Sequence, residues 1–117
     1  MTISGREKYK AKGRIWIEIN DKTFIGEGKA LLLEKTAELG SLRKAATELN
    51  ISYRKAWYSL NQMNKTADTP LITLKHGGKQ GGIAEISEFG KEVLEKFDAL
   101  KKEFLVFLDN QTKSLNS

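Results

Sequence analysis

Side chains able to bind nucleic acid are concentrated at the start of one predicted helix. Within a short stretch the chain places hydroxyl and cationic groups there, at Ser52, Tyr53, Arg54, Lys55 and Tyr58. Groups of these two kinds bind the base edges and phosphates of duplex DNA. The pattern therefore predicts a surface that contacts DNA. The alternative is that Arg54 and Lys55 only solvate an exposed helix face.

Two further groups of residues fit the same chemistry. One lies in a glycine-rich loop and consists of Lys75, His76, Lys79 and Gln80. The glycines let the backbone approach a phosphate or the minor groove closely, although an ordinary mobile hairpin is the alternative. The other group is Arg43 and Lys44, at the start of the preceding helix. Cations there oppose the helix dipole, which favours a role in binding phosphates.

Residues that would indicate an enzyme or a metal site are missing from the sequence. The chain has no cysteine, and its one histidine, His76, has no carboxylate cluster at ligand spacing. Neither a Walker glycine-lysine motif nor a convincing pair of carboxylates is present. We therefore expect a protein that is not an enzyme and that needs no cofactor or metal ion.

The positive charge of the chain is segregated. The 117 residues carry a formal net charge of +5. Residues 1–14 contain five basic side chains and one acidic side chain, and residues 51–84 contain the same numbers. Residues 15–50 and 85–117 are slightly acidic. A basic protein favours an anionic partner. The separation of the positive charge into two segments is stronger evidence for such a partner than the net charge alone.

The spacing of apolar residues predicts the elements that position these groups. Residues 13–21 alternate isoleucine with other residues, which is typical of a strand with one buried face. Residues 27–39 have helical spacing at Leu31, Leu32, Thr36 and Leu39, and Gly40 ends that helix. Trp57, beside the apolar stripe of a later helix, is expected to pack against the domain and is not counted among the DNA contacts.

Residues 40–64 have the layout of a helix-turn-helix. Ser41 and Ser52 are N-cap residues of two helices, the second of which reaches about Thr66. Ala45 and Ala46 are small where the helices cross, and Leu49 and Ile51 fill the corner. Ala56, Leu60 and Met63 form the inward stripe of the second helix. Its first residues are therefore free to enter a major groove about 12 Å wide.

The rest of the chain predicts a hairpin and a long helix. Residues 71–74 and 84–86 are strand candidates on either side of the glycine-rich loop. The last helix runs from Ser87 to about Asp109, before a polar tail that frays. Its apolar residues are spaced as in a coiled coil, and we expect them to form a dimer interface: Val93, Phe97, Leu100, Phe104 and Phe107. The alternative is one helix folded onto its own domain.

The order of elements is that of a winged helix. We therefore predict a mainly α fold with a small antiparallel β-sheet, a winged helix-turn-helix with a long C-terminal dimerisation helix. Residues 1–12 form a basic segment, either an arm or a disordered lead; residues 13–86 form the DNA-binding domain, residues 87–112 the dimerisation helix and residues 113–117 a polar tail. No apolar run is long enough for a membrane span, so we expect a cytoplasmic protein.

Three sequence motifs resemble one known family. The segments GSLRKAATEL, ISYRKAWYSLNQMN and HGGKQGGIAEISEFG are similar to the DNA-binding domain of ModE, the bacterial molybdate-responsive transcriptional regulators, and more distantly to the LysR-type domain. The resemblance covers residues 13–112. It implies a winged-helix dimer joined through long helices, with the residues from Ser52 to Lys55 in the groove of a palindromic operator. The molybdate-binding domains of those regulators have no counterpart, so we expect a regulator that lacks this effector domain.

Two functions remain after this reading. The first is a regulator that binds duplex DNA as a homodimer, with a separate effector protein as a candidate partner. Its two helices would meet half-sites about 34 Å apart. The second is a winged-helix module for protein-protein interaction without specific DNA binding. This second function predicts little salt-dependent affinity for DNA.

Overall fold

A computed structural model describes residues 8–75 and 82–117 of the chain. Its elements are β1 (Trp16–Ile19), β2 (Lys22–Gly26), α1 (Glu27–Leu39), α2 (Leu42–Glu48), α3 (Tyr53–Ala67), β3 (Ile72–Lys75), β4 (Ile83–Ile86) and α4 (Glu88–Leu115). The predicted fold class is confirmed: the structure is mainly helical, with short antiparallel strands and a long last helix. The predicted contacts at His76, Lys79 and Gln80 lie outside the described residues.

The strands form two separate hairpins where the sequence predicted one small sheet. β1 pairs antiparallel with β2, and β3 with β4. β2 was not predicted, because residues 13–21 were interpreted as a single strand. Asn20 and Asp21 both have positive φ, 50° and 65°, which is the conformation of a two-residue hairpin turn. The chain therefore reverses there and buries Phe24 and Ile25 of β2.

The chain divides into two compact units. The first comprises residues 16–95, and its core is formed by α1, α2, α3 and the strands. In α1 the residues Leu32, Leu33 and Thr36 are buried, whereas Leu31, which the helical spacing had placed with them, is exposed. The predicted inward residues Ala45, Ala46, Ala56, Leu60 and Met63 are all buried. Their burial agrees with the predicted packing, whereas Leu49 and Ile51, which were predicted to fill the corner, are only half-buried.

Hydrogen bonds at the start of α4 hold it against the chain that enters β3. The Ser87 backbone N–H donates to the Leu71 carbonyl at 2.8 Å, and the Ser87 hydroxyl donates to the Pro70 carbonyl at 2.7 Å. The same hydroxyl accepts from the Gly90 N–H at 2.9 Å, which caps the helix as predicted. Gly90 is buried so close to the Leu71 carbonyl oxygen that no side chain fits.

The second unit comprises residues 8–15 and 96–117. In it, residues 8–15, called here the N-terminal strap, lie along the last part of α4. The N–H groups of Lys8 and Tyr9 donate to Asn116 Oδ1 at 3.0 and 3.2 Å, and the Ala11 N–H donates to Thr112 Oγ1 at 2.9 Å. The Asn116 amide also donates to the Tyr9 carbonyl at 2.8 Å. The strap is therefore attached to the helix by backbone hydrogen bonds.

The contacts between the strap and α4 explain why the end of α4 differs from the prediction. The sequence predicted that the helix would end near Asp109 and that residues 113–117 would be a polar tail. The helix continues to Leu115, and Thr112 is only 5% exposed. Polar side chains that looked suited to a frayed tail accept hydrogen bonds from the strap. Residues 8–12, predicted as an arm or a disordered lead, are the other half of these contacts.

Two helical glycines should respond to the same substitution with opposite signs. Gly90→Ala should lower the free energy of unfolding by more than about 1 kcal/mol, because the new methyl group would collide with the Leu71 carbonyl oxygen and displace α4. Gly28→Ala, in α1, meets no atom within 4 Å and should raise it by about 0.5 kcal/mol. Urea denaturation measures both. A Gly90→Ala protein as stable as Gly28→Ala would contradict the described packing.

Candidate nucleic-acid interface

The turn between α2 and α3 fixes the direction in which α3 leaves the core. Ser41 Oγ accepts from the Lys44 N–H at 3.1 Å, and Ser52 Oγ accepts from the Lys55 N–H at 3.0 Å, so both predicted caps are present. Between them, Asn50 has a φ of 57°, a left-handed conformation that asparagine tolerates well. The Ile51 N–H donates to the Ala46 carbonyl at 3.0 Å. The chain therefore turns within the four residues 49–52, between the end of α2 and the start of α3.

An ion pair network on the other side of α2 attaches it to α1. Lys35 Nζ of α1 lies 3.3 Å from Glu48 Oε1 of α2 and 3.6 Å from Glu38 Oε2. The hydrogen bond to Glu48, supported by the charge of Glu38, raises the pKa of Lys35. The group is solvent-exposed, so the network orients α2 more than it stabilises the fold.

The first two turns of α3 present a polar and aromatic surface to solvent. Tyr53, Arg54, Lys55 and Tyr58 are exposed, and Tyr58 has 59% of its surface accessible. Ser52, Arg54, Lys55, Trp57 and Tyr58 line one shallow depression. The five residues that the sequence selected around the start of α3 are all exposed, and all but Tyr53 line this depression; these five are called here the α3 face. Ser52 belongs to it while its hydroxyl caps the helix.

Contacts within the α3 face orient two of its side chains. The Arg43 guanidinium of α2 lies over the Tyr53 ring, 4.6 Å from its centre, an interaction worth about 0.5–1 kcal/mol at an exposed site. Arg43 is thereby held beside the first residue of α3. Gln62 Nε2 donates to the Tyr58 hydroxyl at 3.0 Å, which leaves the phenol proton available to another acceptor. Lys44 is exposed at the start of α2.

Trp57 was expected to pack against the domain, and the structure places it largely in solvent. It is 46% exposed. Besides the depression on the α3 face, it lines a groove between α3 and β3 together with Asn61, Pro70 and Thr73. Trp57 therefore extends the α3 face towards the wing. The signal for this was its position one residue after the fully buried Ala56, about 100° around the helix from the core.

Asn64 couples α3 to the first wing strand, a role that the sequence analysis missed. Its Oδ1 accepts from the Leu71 N–H at 2.9 Å, and its Nδ2 donates to the Ile72 carbonyl at 2.9 Å. An asparagine at the end of a polar helix gives no sequence signal for such a contact. Lys75, the last residue of β3, pairs with Glu85 of β4 at 3.5 Å, and both side chains are 61% exposed. Such an exposed ion pair contributes little to stability, so Lys75 can leave Glu85 for another anionic partner.

The geometry described so far is that of a helix-turn-helix, and comparison with known proteins agrees. Residues 30–91, just over half of the chain, match the LysR family of bacterial regulatory helix-turn-helix proteins. The matched region runs from α1 to the start of α4 and contains the α3 face.

The chain belongs to the LysR family of bacterial regulatory helix-turn-helix proteins.

Individual relatives point to the ModE proteins that the sequence motifs resembled. The chain is 30% identical over 103 residues to the molybdenum transport protein ModE of Azotobacter vinelandii, covering 88% of this chain and 38% of that protein. It is 31% identical over 105 residues to the DNA-binding transcriptional dual regulator ModE of Escherichia coli K12, covering 86% and 40%. With the molybdenum-pterin-binding protein MopB of Rhodobacter capsulatus, the identity is 32% over 92 residues, covering 79% and 34%.

These matches confirm the predicted resemblance to the ModE DNA-binding region. The chain spans about two-fifths of the length of the ModE proteins it matches. Membership of this LysR family of regulators also agrees with the prediction that the protein is not an enzyme. Among the described residues, no group of acidic or histidine side chains is arranged to hold a metal ion. None of the helices in that part of the chain is long and apolar enough to cross a membrane.

The five predicted dimer-interface residues do not share one environment. Val93 and Phe97 are buried within the chain itself. Phe104 is half-buried, and its ring lies 2.8 Å from the point where a Cβ on Gly13 of the strap would be. Leu100 and Phe107 are exposed, with 41% and 54% of their surfaces accessible. Only part of the predicted seam is therefore available to a second copy of this LysR-family chain.

The Asn64 contact can be tested by removing its amide. Asn64→Ala leaves the Leu71 N–H and the Ile72 carbonyl without their partner, so the free energy of unfolding should fall by about 1–3 kcal/mol. Asn61→Ala, one turn earlier on the same helix, is the matched control and should change it by less than about 0.5 kcal/mol. Urea denaturation of both variants decides the point. Equal stabilities would show that Asn64 does not attach the wing strand to α3.

Proposed function

We propose that this chain is a DNA-binding transcriptional regulator that contacts duplex DNA as a homodimer through α3 and the wing. A separate effector protein is a candidate partner in this proposal. The observation that carries it is the α3 face, which gathers cations, hydroxyls and an indole on the first turns of a helix that leaves the core. The segment that contains this helix matches a family of regulatory helix-turn-helix proteins.

The charges around this face support binding to phosphates and bases. Arg43, Lys44, Arg54 and Lys55 form no ion pair with any described residue, in contrast to Lys35 and Lys75. DNA can therefore engage these four cations without displacing a carboxylate. Arg54 and Lys55 lie in the first turn of α3, the part of a recognition helix that reaches base edges. Arg43 and Lys44 begin the supporting helix, which crosses the backbone in this class of proteins.

Removing the two cations of α3 tests the DNA contact. The duplex for the test comes from selection on a random library. Arg54→Ala/Lys55→Ala should weaken binding to that duplex at least tenfold, since each lost base contact costs about 1–3 kcal/mol. Binding is measured by fluorescence anisotropy, and circular dichroism checks folding. The control is Lys102→Ala/Lys113→Ala, which removes the same charge from lysines paired with Asp98 and Asp109.

The outcome separates the two functions that the sequence left open. An enriched palindrome, and a loss of affinity confined to the α3 variant, would support the regulator. A library without enrichment, together with negligible salt-dependent binding by the unaltered protein, would favour the protein-interaction module. If the α3 variant bound the selected duplex as tightly as the unaltered protein, the contact surface would lie elsewhere.

The dimer part of the proposal depends on the exposed residues of α4. Leu100 and Phe107 are seven positions apart, so they lie on the same side of the helix, two turns from one another. Apolar side chains in this arrangement are suited to the same side of a second α4. A two-fold dimer would give each α3 its own half-site.

A charge on this side of α4 should separate the copies. Leu100→Glu should give monomers in light scattering, and DNA affinity should fall with dimerisation because the two half-sites are no longer joined. Val106→Glu is the matched control: Val106 is exposed as well, but lies about 120° around the helix from Leu100. A Leu100→Glu protein that remains dimeric would refute this interface. Loss of the dimer in both variants would show that a charge on either side of α4 disrupts it, and would not support an interface at Leu100 and Phe107.

A further inference from the structure

We propose that the N-terminal strap is a second DNA contact, a row of fixed cations that binds the phosphate backbone. This inference rests on the proposed DNA-binding function and adds a surface to it. The cations are Lys8, Lys10, Lys12 and Arg14, and nothing in the helix-turn-helix accounts for them. The shape of the strap, the residues that it exposes and the charges near it support this contact.

The strap follows a long part of α4. Its contacts with α4 begin at Asn116, for Lys8 and Tyr9, and reach Phe104, for Gly13. Twelve residues of helix separate these two positions, a distance of about 18 Å. From residue 8 to residue 13, a chain reaches at most about 16–18 Å. The side chains of Asn116 and Phe104 bridge part of this distance, and Ala11 contacts Thr112 between them, so the strap follows the helix without folding back on itself.

The strap exposes most of its residues, and its four cations are among them. Ala11 and Ile15 are half-buried, and a Cβ on Gly13 would meet the Phe104 ring. The alternate residues Lys8, Lys10, Lys12 and Arg14 are all exposed. Alternate residues of a chain are at most about 6.6 Å apart, so the four cations form a row of up to about 20 Å. The phosphates of one DNA strand follow one another at about 3.4 Å along the axis, so the row can run beside several of them.

The surroundings leave these charges uncompensated. Lys10, Lys12 and Arg14 form no ion pair with any described residue, and Lys8 lies 5.4 Å from the centre of its neighbouring Tyr9 ring. The acidic residues Asp98 and Asp109 of α4 are already paired, with Lys102 at 3.0 Å and Lys113 at 3.2 Å. Residues 8–15 and 96–117 together contain eight basic and three acidic side chains. The strap and the part of α4 beside it therefore carry a net positive charge, which attracts anions.

A row of this shape fits a polymer of phosphates better than a single small anion. The cations are spread along a line and do not converge on one point. The backbone that carries them is held by hydrogen bonds at residues 8, 9 and 11 before any ligand arrives, which reduces the entropy lost when a phosphate backbone binds. Cations without base-edge geometry bind DNA independently of sequence. The strap should therefore add affinity and leave sequence preference to α3.

The experiment measures how binding depends on salt. The variant Lys10→Gln/Lys12→Gln/Arg14→Gln is titrated by fluorescence anisotropy against the selected duplex and a scrambled duplex at several salt concentrations. Since each phosphate contact contributes about 0.9 to the slope of log affinity against log salt, the slope should fall by about 2–3 per protomer. Affinity for both duplexes should fall by the same factor, so the ratio between them should not change.

A matched variant shows whether the location of the charge matters. Lys91→Gln/Lys102→Gln/Lys113→Gln removes the same charge from three α4 lysines that are paired with Glu88, Asp98 and Asp109. It should change the slope by less than the strap variant. An equal change in both would mean that total charge alone matters, and the strap contact would be overturned. An unchanged slope in the strap variant, with DNA binding intact, would overturn it as well and leave the α3 proposal standing.

Release of the strap tests the fixed position of the row. Asn116→Ala removes three hydrogen bonds to residues 8 and 9, whereas Asn110→Ala removes an exposed amide of the same helix as a control. Trypsin should then cleave after Lys10, Lys12 and Arg14 faster in Asn116→Ala than in the control. DNA affinity should fall severalfold, because the row must be ordered again on binding. Faster cleavage together with unchanged DNA affinity would show that the fixed position of the strap does not contribute to binding, and would overturn that part of the proposal. Absence of DNA binding by the unaltered protein would overturn the proposed function together with it.

Discussion

The close crossing of α2 and α3 is the constraint on which the proposed interface depends. Ala45 and Ala46 of α2 and Ala56 of α3 are at most 2% exposed, so small side chains are buried on both helices. A larger side chain there would separate the helices or turn one about its axis. Because Leu60 and Met63 fix the inward side of α3, the same packing determines which residues point outward. The α3 face is therefore a consequence of small residues in the core.

Local signals in the sequence were sufficient for most of the helix boundaries. Gly40, with a φ of 66°, ends α1, and serine hydroxyls cap α2, α3 and α4. These signals act between residues a few positions apart, so a sequence pattern contains them. The β1–β2 hairpin was missed although Asn20 and Asp21 form its turn, because alternation up to residue 21 was interpreted as one strand. The end of α4 was missed for a different reason: its partners, Tyr9 and Ala11, are about a hundred positions away.

The candidate site could be predicted as a set of residues, but not as a set of contacts. Helical spacing was enough to place Arg54, Lys55 and Tyr58 on one outward side. It gave no indication that Arg43 lies over Tyr53, since that contact joins two helices. In α4 the same spacing that predicts a coiled coil also suits burial within the chain. Periodicity identifies an apolar side of a helix, and tertiary structure decides what covers it.

One side-chain amide joins residues from opposite ends of the sequence. Asn116 accepts hydrogen bonds from residues 8 and 9 and returns one to the Tyr9 carbonyl. A purification tag attached before residue 8 and one attached after residue 116 would thus occupy the same neighbourhood, and either could pull this amide away from its partners. Fluorophores for distance measurements are better placed at the exposed hairpin turn of Asn20 and Asp21.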